Sequence, residues 1–453
     1  MSASAWWCEY AWLPEGPVAG VRVEVDEDGV VSSVHAGALR HDADRVLHGL
    51  VLPGLANTHC HAFHRALRGR THESRGTFWT WRERMYALAD RLDPDSYCDL
   101  ATAVYSEMVL AGVTCVGEFH YLHHGPGGAR YGDPNAMGEA LREAARRAGL
   151  RLTLLDTCYF TAGIGVPLEG VQRRFDDSDA EGWAMRVSAL RDDERFRVGA
   201  AIHSVRAVPA DQLEDIVDAC RTGDGETDRR PLHVHISEFQ AENAACLTAY
   251  GMTPTRLLAE HGVLGPTTTA VHATHVTPED VQLLGATGTT ACLCPTTARD
   301  LGTGIGPARR LALAGAPVTV GSDQHAVIDL LEEMRMLEMT ERLAAQSRGV
   351  FDVGQLVAAV TVDGHAALGW PEAGRIAVGA PADLVCLRLD SVRTAGSLPE
   401  QAVMTAASAD IDTVVVGGRE VVTDGVHRSL GPIGPHLSAA IERAWRGGPP
   451  ARG

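Results

Sequence analysis

Along most of the chain, short apolar runs rich in β-branched residues alternate with longer stretches whose apolar positions recur every three or four residues. The runs are LVLPGLANTHCH ending near 61, VTCVGEFHY near 121, LRLTLLDTCY near 159 and FRVGAAIHSV near 205. Four more follow: PLHVHISE near 238, TTAVHATH near 275, TTACLCP near 295 and APVTVGSD near 323. Between them lie stretches of helical texture such as MGEALREAARRAG and EDVQLLGATG. A short buried strand followed by an amphipathic helix is a βα unit. Eight such units predict an α/β protein with a (β/α)8 TIM barrel over residues 51–365. An open doubly wound sheet is the alternative, but such sheets usually stop at fewer strands.

The texture differs at the two ends. VRVEVDEDG, VVSSVHAG and RVLHGL in residues 1–50 read as short strands bounded by turn residues. GRIAVGAPADLVCLRL and IDTVVVGGREVVTDG read the same way in residues 366–453. Together they predict a small β-sandwich domain formed by both chain ends, with LSAAIERAW as a terminal helix.

Composition narrows the class of partner. Of 453 residues, 45% are apolar and 22% charged, as in ordinary globular proteins. The net charge of −18 repels phosphate backbones, which argues against nucleic acid as a partner. An anionic small molecule must then be captured by local arginines. The N-terminal residues lack a basic segment leading into an apolar one, so no signal peptide is expected. No apolar run reaches the roughly 18 residues of a membrane span. The ten cysteines are scattered without a CxxC pair, which fits reduced thiols and a cytoplasmic location. Cys292 and Cys294, in TTACLC, read as packing residues.

Chemistry-bearing residues gather where the barrel strands end, which is where such a fold keeps its active site. His59 and His61 sit two apart at the end of the first run, so both face the same way. With 20 histidines in 453 residues, about one HxH pair arises by chance, and the pair alone is weak. The fifth run adds His235 and Glu238, the sixth His272 and the eighth Asp323. Four strands thus place metal-ligand or acid–base side chains at one end. Three imidazoles and a carboxylate suit Zn²⁺, or another divalent ion, so His59, His61, His235 and Asp323 are the expected ligands of one metal. Glu238 is then placed to move a proton, and His272 to stabilise developing charge or orient water. His233 and His275 are expected to pack or support. No lysine lies at the end of the fourth run, AAIHSVRAV, so a carbamylated lysine bridging two metals is not supplied.

LPGLANTHCHAFHR, HVHISE, VHATH and GSDQH, inside a frame of strands from both chain ends, resemble the amidohydrolase superfamily over nearly the whole chain. CPTTARDLGTGIGP is similar to a loop of its deaminase branch. FWTWRERMY, GEFHYLHH and HSVRAV resemble those members that hydrolyse N-formimino-L-glutamate to N-formyl-L-glutamate and ammonia in histidine degradation. This resemblance implies that Arg82, Tyr121, His203 and Arg206 bind the carboxylate-bearing part of the substrate, and that Asp323 also takes the proton of the attacking water. An arginine fork suits a carboxylate.

The chain departs from the pattern in several places. His64 stands where some members carry a substrate-facing glutamine. Phe239 and Gln324 follow Glu238 and Asp323 where other residues are common, and Arg299-Asp300 replaces Ala-Asn. None is a metal ligand, but they leave open a deaminase acting on another amidine, a guanidino compound or a ring C=N bond. An aromatic content of 5% mildly disfavours a stacking pocket for a ring. A catalytically silent scaffold would be marked by a lost ligand, and none is lost. Barrels of this kind often form homodimers; no interface stripe stands out.

Overall fold

A computed structural model of the chain describes residues 4–72, 78–223, 225 and 228–446. Strands β1 (Ser4–Leu13), β2 (Gly16–Val25), β3 (Val31–His35) and β4 (Arg45–Pro53) come first. The barrel follows as β5 (Leu55–Cys60), β6 (Val113–His120), β7 (Arg151–Cys158), β8 (Phe196–Ile202), β9 (Leu232–Ile236), β10 (Thr268–His272), β11 (Thr290–Leu293) and β12 (Val318–Val320). Strands β13 (Leu384–Leu387), β14 (Ile411–Val416), β15 (Arg419–Thr423) and β16 (Val426–His427) complete the set. The eight runs read from the sequence are β5–β12, and each pairs in parallel with its successor.

Both chain ends build one hydrogen-bonded sheet in the order β16-β15-β14-β13-β4-β1-β2-β3. Its central strands alternate between two cores. Leu47, Val51, Leu384, Cys386 and Val415 join Trp6, Cys8, Val21 and Val23 in a core of the sheet's own. Leu50, Leu52, Val385, Leu387, Val414 and Val416 join the main core shared with the barrel. This is the period-two side-chain alternation of a strand buried on both faces.

Two features were not read from the sequence. β1 begins this sheet within SAWWCEYAWL. The run LVLPGLANTHCH divides at Gly54: LVLP closes the small sheet and LANTHC opens the barrel. The small sheet therefore extends to Pro53. A Cβ at Gly54 would come within 2.2 Å of the Thr114 hydroxyl and 2.7 Å of the Asp383 Cβ, so the crossover admits only glycine.

The barrel closes where its first and last strands meet. The Asp323 N–H donates to the His59 carbonyl at 3.0 Å, and the His61 N–H donates to the Asp323 carbonyl at 3.2 Å. Gly321 makes this approach feasible, because a Cβ there would lie 2.6 Å from the His59 carbonyl oxygen. Overpacking of this kind costs about 1–3 kcal/mol. Gly321→Ala is therefore expected to lower unfolding free energy by about that amount in urea titration. An unchanged midpoint would contradict a seam this tight.

Candidate active site

Strand alternation sends His59 and His61 into the barrel mouth and Cys60 to the outside. Nε2 of His59 lies 3.1 Å from Nε2 of His235 and 3.5 Å from Oδ1 of Asp323. Nε2 of His61 is 3.4 Å from the same oxygen. His272 places its Nε2 3.9 Å from Oδ2 of Asp323 and 3.9 Å from Oε2 of Glu238. Several of these residues come from turns held in the left-handed region: Ser237, His272, Ala273 and Asp323 have φ of 50°, 72°, 46° and 41°. Such strain in non-glycine residues clusters at functional sites, where it aims side chains that a regular strand would turn away.

Partners on the far side of the rings fix their tautomers. His61 Nδ1 donates to the Phe119 carbonyl at 2.9 Å, and His235 Nδ1 donates to the His203 carbonyl at 3.0 Å. A carbonyl only accepts, so both Nε2 atoms carry lone pairs. Burial keeps the rings neutral, pushing His59 down to about 3 and His61 to about 4, with His235 well below the usual histidine range. Burial opposes the charge of Asp323, yet the hydrogen bond with His59 and the nearby imidazoles hold its carboxyl below the usual range. Burial pushes Glu238 up to about 7, while His272 pulls the other way.

Ligand atoms of His59, His61 and Asp323 lie within 4.8 Å of one another, and so do those of His59, His235 and His272. Buried lone pairs turned toward a carboxylate repel one another, and a divalent cation relieves that repulsion. The donor set suits zinc chemistry. Cys294 is buried against Val271 and Cys292, and its sulfur also comes within 4.8 Å of ligand atoms of His272 and Asp323. His120, His123 and Asp156 form a further buried group. There Arg186 takes both oxygens of Asp156 at 2.8 and 2.7 Å, making that group part of an ion-pair network.

A cleft opens over the four strand ends. His61, His235, Glu238, His272 and Asp323 line it, with His64, Arg82, Tyr121, His203 and Arg206. The Arg82 guanidinium lies 4.4 Å from the Trp79 ring centroid. Nε of Arg206 donates to Glu242 at 2.7 Å; burial opposes the charge of the guanidinium, and the Glu242 carboxylate more than offsets it, holding the group above its ordinary range. His64 Nε2 is 2.9 Å from the Tyr121 hydroxyl. Gln324 reaches the cleft and donates to Asp300 at 2.6 Å. Phe239 packs on Phe78, with centroids 4.4 Å apart, and so supports the helix Phe78–Ala89. His233 bonds the Ala367 carbonyl and His275 the Thr303 carbonyl, and neither lines the cleft. From GEFHYLHH, Tyr121 reaches the cleft.

Sequence reasoning missed two groups. One is the aromatic lining: Phe78, Trp81, Tyr86, Tyr159 and Phe175 face the cleft beside the expected Tyr121. The 5% aromatic content therefore says nothing against an aromatic pocket, because the rings are concentrated here. The spacing of Phe78, Trp81, Arg82, Met85 and Tyr86, one helix face, was the available signal. The other is Glu118, fully buried beneath β5. Its carboxyl accepts from the Ala62 N–H at 2.8 Å, the Cys60 thiol at 3.1 Å and the hydroxyls of Tyr97 and Tyr105 at 3.3 and 3.0 Å. It grips residues 60 and 62 on either side of His61.

A barrel with metal-type donors at its strand C-termini defines a hydrolase of the amidohydrolase class. The chain belongs to the amidohydrolase family, whose model matches residues 50–421. It is 36% identical to formimidoylglutamate deiminase of Pseudomonas aeruginosa, over 94% of this chain and 96% of that protein. It is 31% identical to 8-oxoguanine deaminase of the same organism, over 92% of each. Among solved structures, an amidohydrolase from Brucella melitensis superposes with a TM-score of 0.89 at 30% identity, covering 97% of this chain and 99% of that one. An adenosine deaminase from Xanthomonas campestris, solved with bound zinc, shares the fold with a TM-score of 0.82 at 22% identity, over 98% and 97%. No helix among the described residues is long and apolar enough to cross a membrane.

The raised Glu238 carboxyl has a cost that depends on pH. Its folded pKa of about 7 exceeds the ordinary glutamate value of 4.5. Its contribution to stability is complete below about 4.5 and is lost as pH rises through about 7. Metal-free Glu238→Gln protein is therefore expected to gain stability over the unsubstituted chain between pH 5 and 8. The gain should approach about 3 kcal/mol, at roughly 1.4 kcal/mol per pH unit. Parallel urea midpoints across that range would contradict this.

Proposed function

We propose that this chain is a zinc-dependent iminohydrolase that converts N-formimino-L-glutamate and water to N-formyl-L-glutamate and ammonia. The observation that carries the reading is the pair of guanidiniums, Arg82 and Arg206, in the same cleft as the metal-type donors. They give an acidic chain, of net charge −18, a local place for a dicarboxylate. The similarity to formimidoylglutamate deiminase supports it.

His59, His61, His235 and Asp323 would hold the metal. Bound there, zinc supplies Lewis-acid activation of water. Glu238, which titrates near neutrality, can take a proton and return it to the imino nitrogen, so that ammonia leaves as a neutral molecule. Asp323 can accept the second proton of the water and hand it on to the same nitrogen, so that both protons depart with ammonia. His272, 3.9 Å from both carboxylates, would stabilise developing charge or orient the water. Arg82, Arg206, Tyr121, His203 and His64 bind the carboxylate-bearing remainder. The reaction needs no partner protein, and a cytoplasmic site of action suits a soluble small-molecule substrate.

The aromatic lining favours a second reading, deamination of a ring C=N bond on the same donors, and the similarity to 8-oxoguanine deaminase supports it. Ammonia release by the zinc-loaded chain separates the two. N-Formimino-L-glutamate should be preferred over N-formimino-L-aspartate and over guanine, and Glu238→Gln should abolish release while keeping the metal. Faster release from guanine would overturn the leading reading. Near-normal release by Glu238→Gln would remove its role in proton transfer.

A further inference from the structure

Two tyrosines in the wall of the cleft and a glutamine behind them form a chain of hydrogen bonds with a fixed direction. Gln172 sits in the turn Gly170–Arg174 after β7, and its Oε1 accepts the Glu169 N–H at 3.2 Å. That bond sets the orientation of the amide. Nε2 faces the other way and donates to the Tyr159 hydroxyl at 3.1 Å and to the Tyr86 hydroxyl at 3.2 Å. An amide nitrogen has two hydrogens and accepts nothing, so both phenol oxygens act as acceptors toward Gln172. Each phenol has a single hydrogen, which must then point away from Gln172. Even where one hydroxyl gives its hydrogen to the other, the pair retains one outward O–H.

The surroundings say what that donor faces. Tyr86 and Tyr159 both line the cleft. Tyr86 lies one helical turn after Arg82, whose guanidinium is 5.6 Å from the Tyr86 ring centroid. Tyr159 packs against His203, with centroids 4.5 Å apart, close enough to Arg206 to feel its charge. The hydroxyl pair thus joins the arginine of one element to the arginine of another. O–H donors flanked by two guanidiniums match an anionic acceptor better than a neutral ring.

We infer that Gln172 orients Tyr86 and Tyr159 as an O–H donor subsite for a substrate carboxylate, and so sets the preference of the cleft for an acid over a neutral amidine. This rests on the dicarboxylate reading above. Gln172 is a positioning residue: it does not line the cleft, and it acts through the two tyrosines. A second carboxylate in the substrate is accounted for by this subsite, and an amidine without one forgoes it.

The test is Gln172→Glu, which keeps the size of the side chain and reverses its direction. A carboxylate accepts from both phenols and draws their hydrogens out of the cleft. For N-formimino-L-glutamate, KM should rise at least about tenfold, the cost of a hydrogen bond to a charged group. Its kcat should stay within about threefold, as expected when binding rather than the chemical step is lost. The analogues N-formimino-4-aminobutanoate and N-formimino-L-norvaline each lack one carboxylate. The one missing the carboxylate that the subsite holds should show the same KM with either protein. The double variant Tyr86→Phe/Tyr159→Phe removes both O–H groups without changing shape and should reproduce the loss if Gln172→Glu does not fold. Binding of glutarate by calorimetry gives a readout free of turnover and should weaken in parallel. Unchanged KM and glutarate affinity in these variants would overturn the subsite. Equal losses of kcat for all three substrates would also overturn it, by reducing Gln172 to a structural role. An unsubstituted chain that neither binds glutarate nor acts on N-formimino-L-glutamate would overturn the dicarboxylate reading itself.

Discussion

The seam between the first and last barrel strands is the constraint on which the rest depends. Two backbone hydrogen bonds tie residues 59, 61 and 323 together, and Gly321 lets the backbones approach closely enough to make them. The same contact that closes the barrel brings the His59 and His61 imidazoles to the Asp323 carboxylate. Fold closure and assembly of the donor set are therefore one event. Farther round the barrel, β9 and β10 contribute His235 and His272 at the same height, because parallel strands in register end at one rim.

Around that rim the protein buries groups that prefer water. Neutral imidazoles are accommodated by carbonyls of Phe119 and His203, which also choose their tautomers. The Glu118 carboxyl, sealed beneath β5, is matched by four donors and braces the strand from outside. Burial raises both this carboxyl and Glu238 to about 7. Glu238 differs in position: it lines the cleft, and no donor hydrogen-bonds to it among the described residues. That places Glu238, and not the enclosed Glu118, where a proton could be exchanged with a bound molecule.

Much of this was legible in the sequence because strand geometry converts spacing into direction. Two histidines two apart share a face, and a strand's last residues lie at the rim whatever the rest of the chain does. The eight barrel strands, the donors His59, His61, His235 and Asp323, and Glu238 could be named on that basis. Other features depend on tertiary pairing. Glu118 matters because β6 sets it beside Cys60, a register that no local pattern encodes. LVLPGLANTHCH reads as one apolar run, and only the close approach of Thr114 and Asp383 shows why it divides at Gly54. Tyr159 and Gln172 come from connecting segments without periodicity. The aromatic pocket was hidden because an average over the chain says nothing about where its few rings gather.

The central claim is that four side chains from three strand ends hold one catalytic metal. Metal analysis of the purified chain, with anomalous scattering at the zinc edge from crystals, tests it most directly. The account predicts one zinc per chain, bound by His59, His61, His235 and Asp323. Two metals in the cleft, or a chain that folds and takes up none, would contradict it.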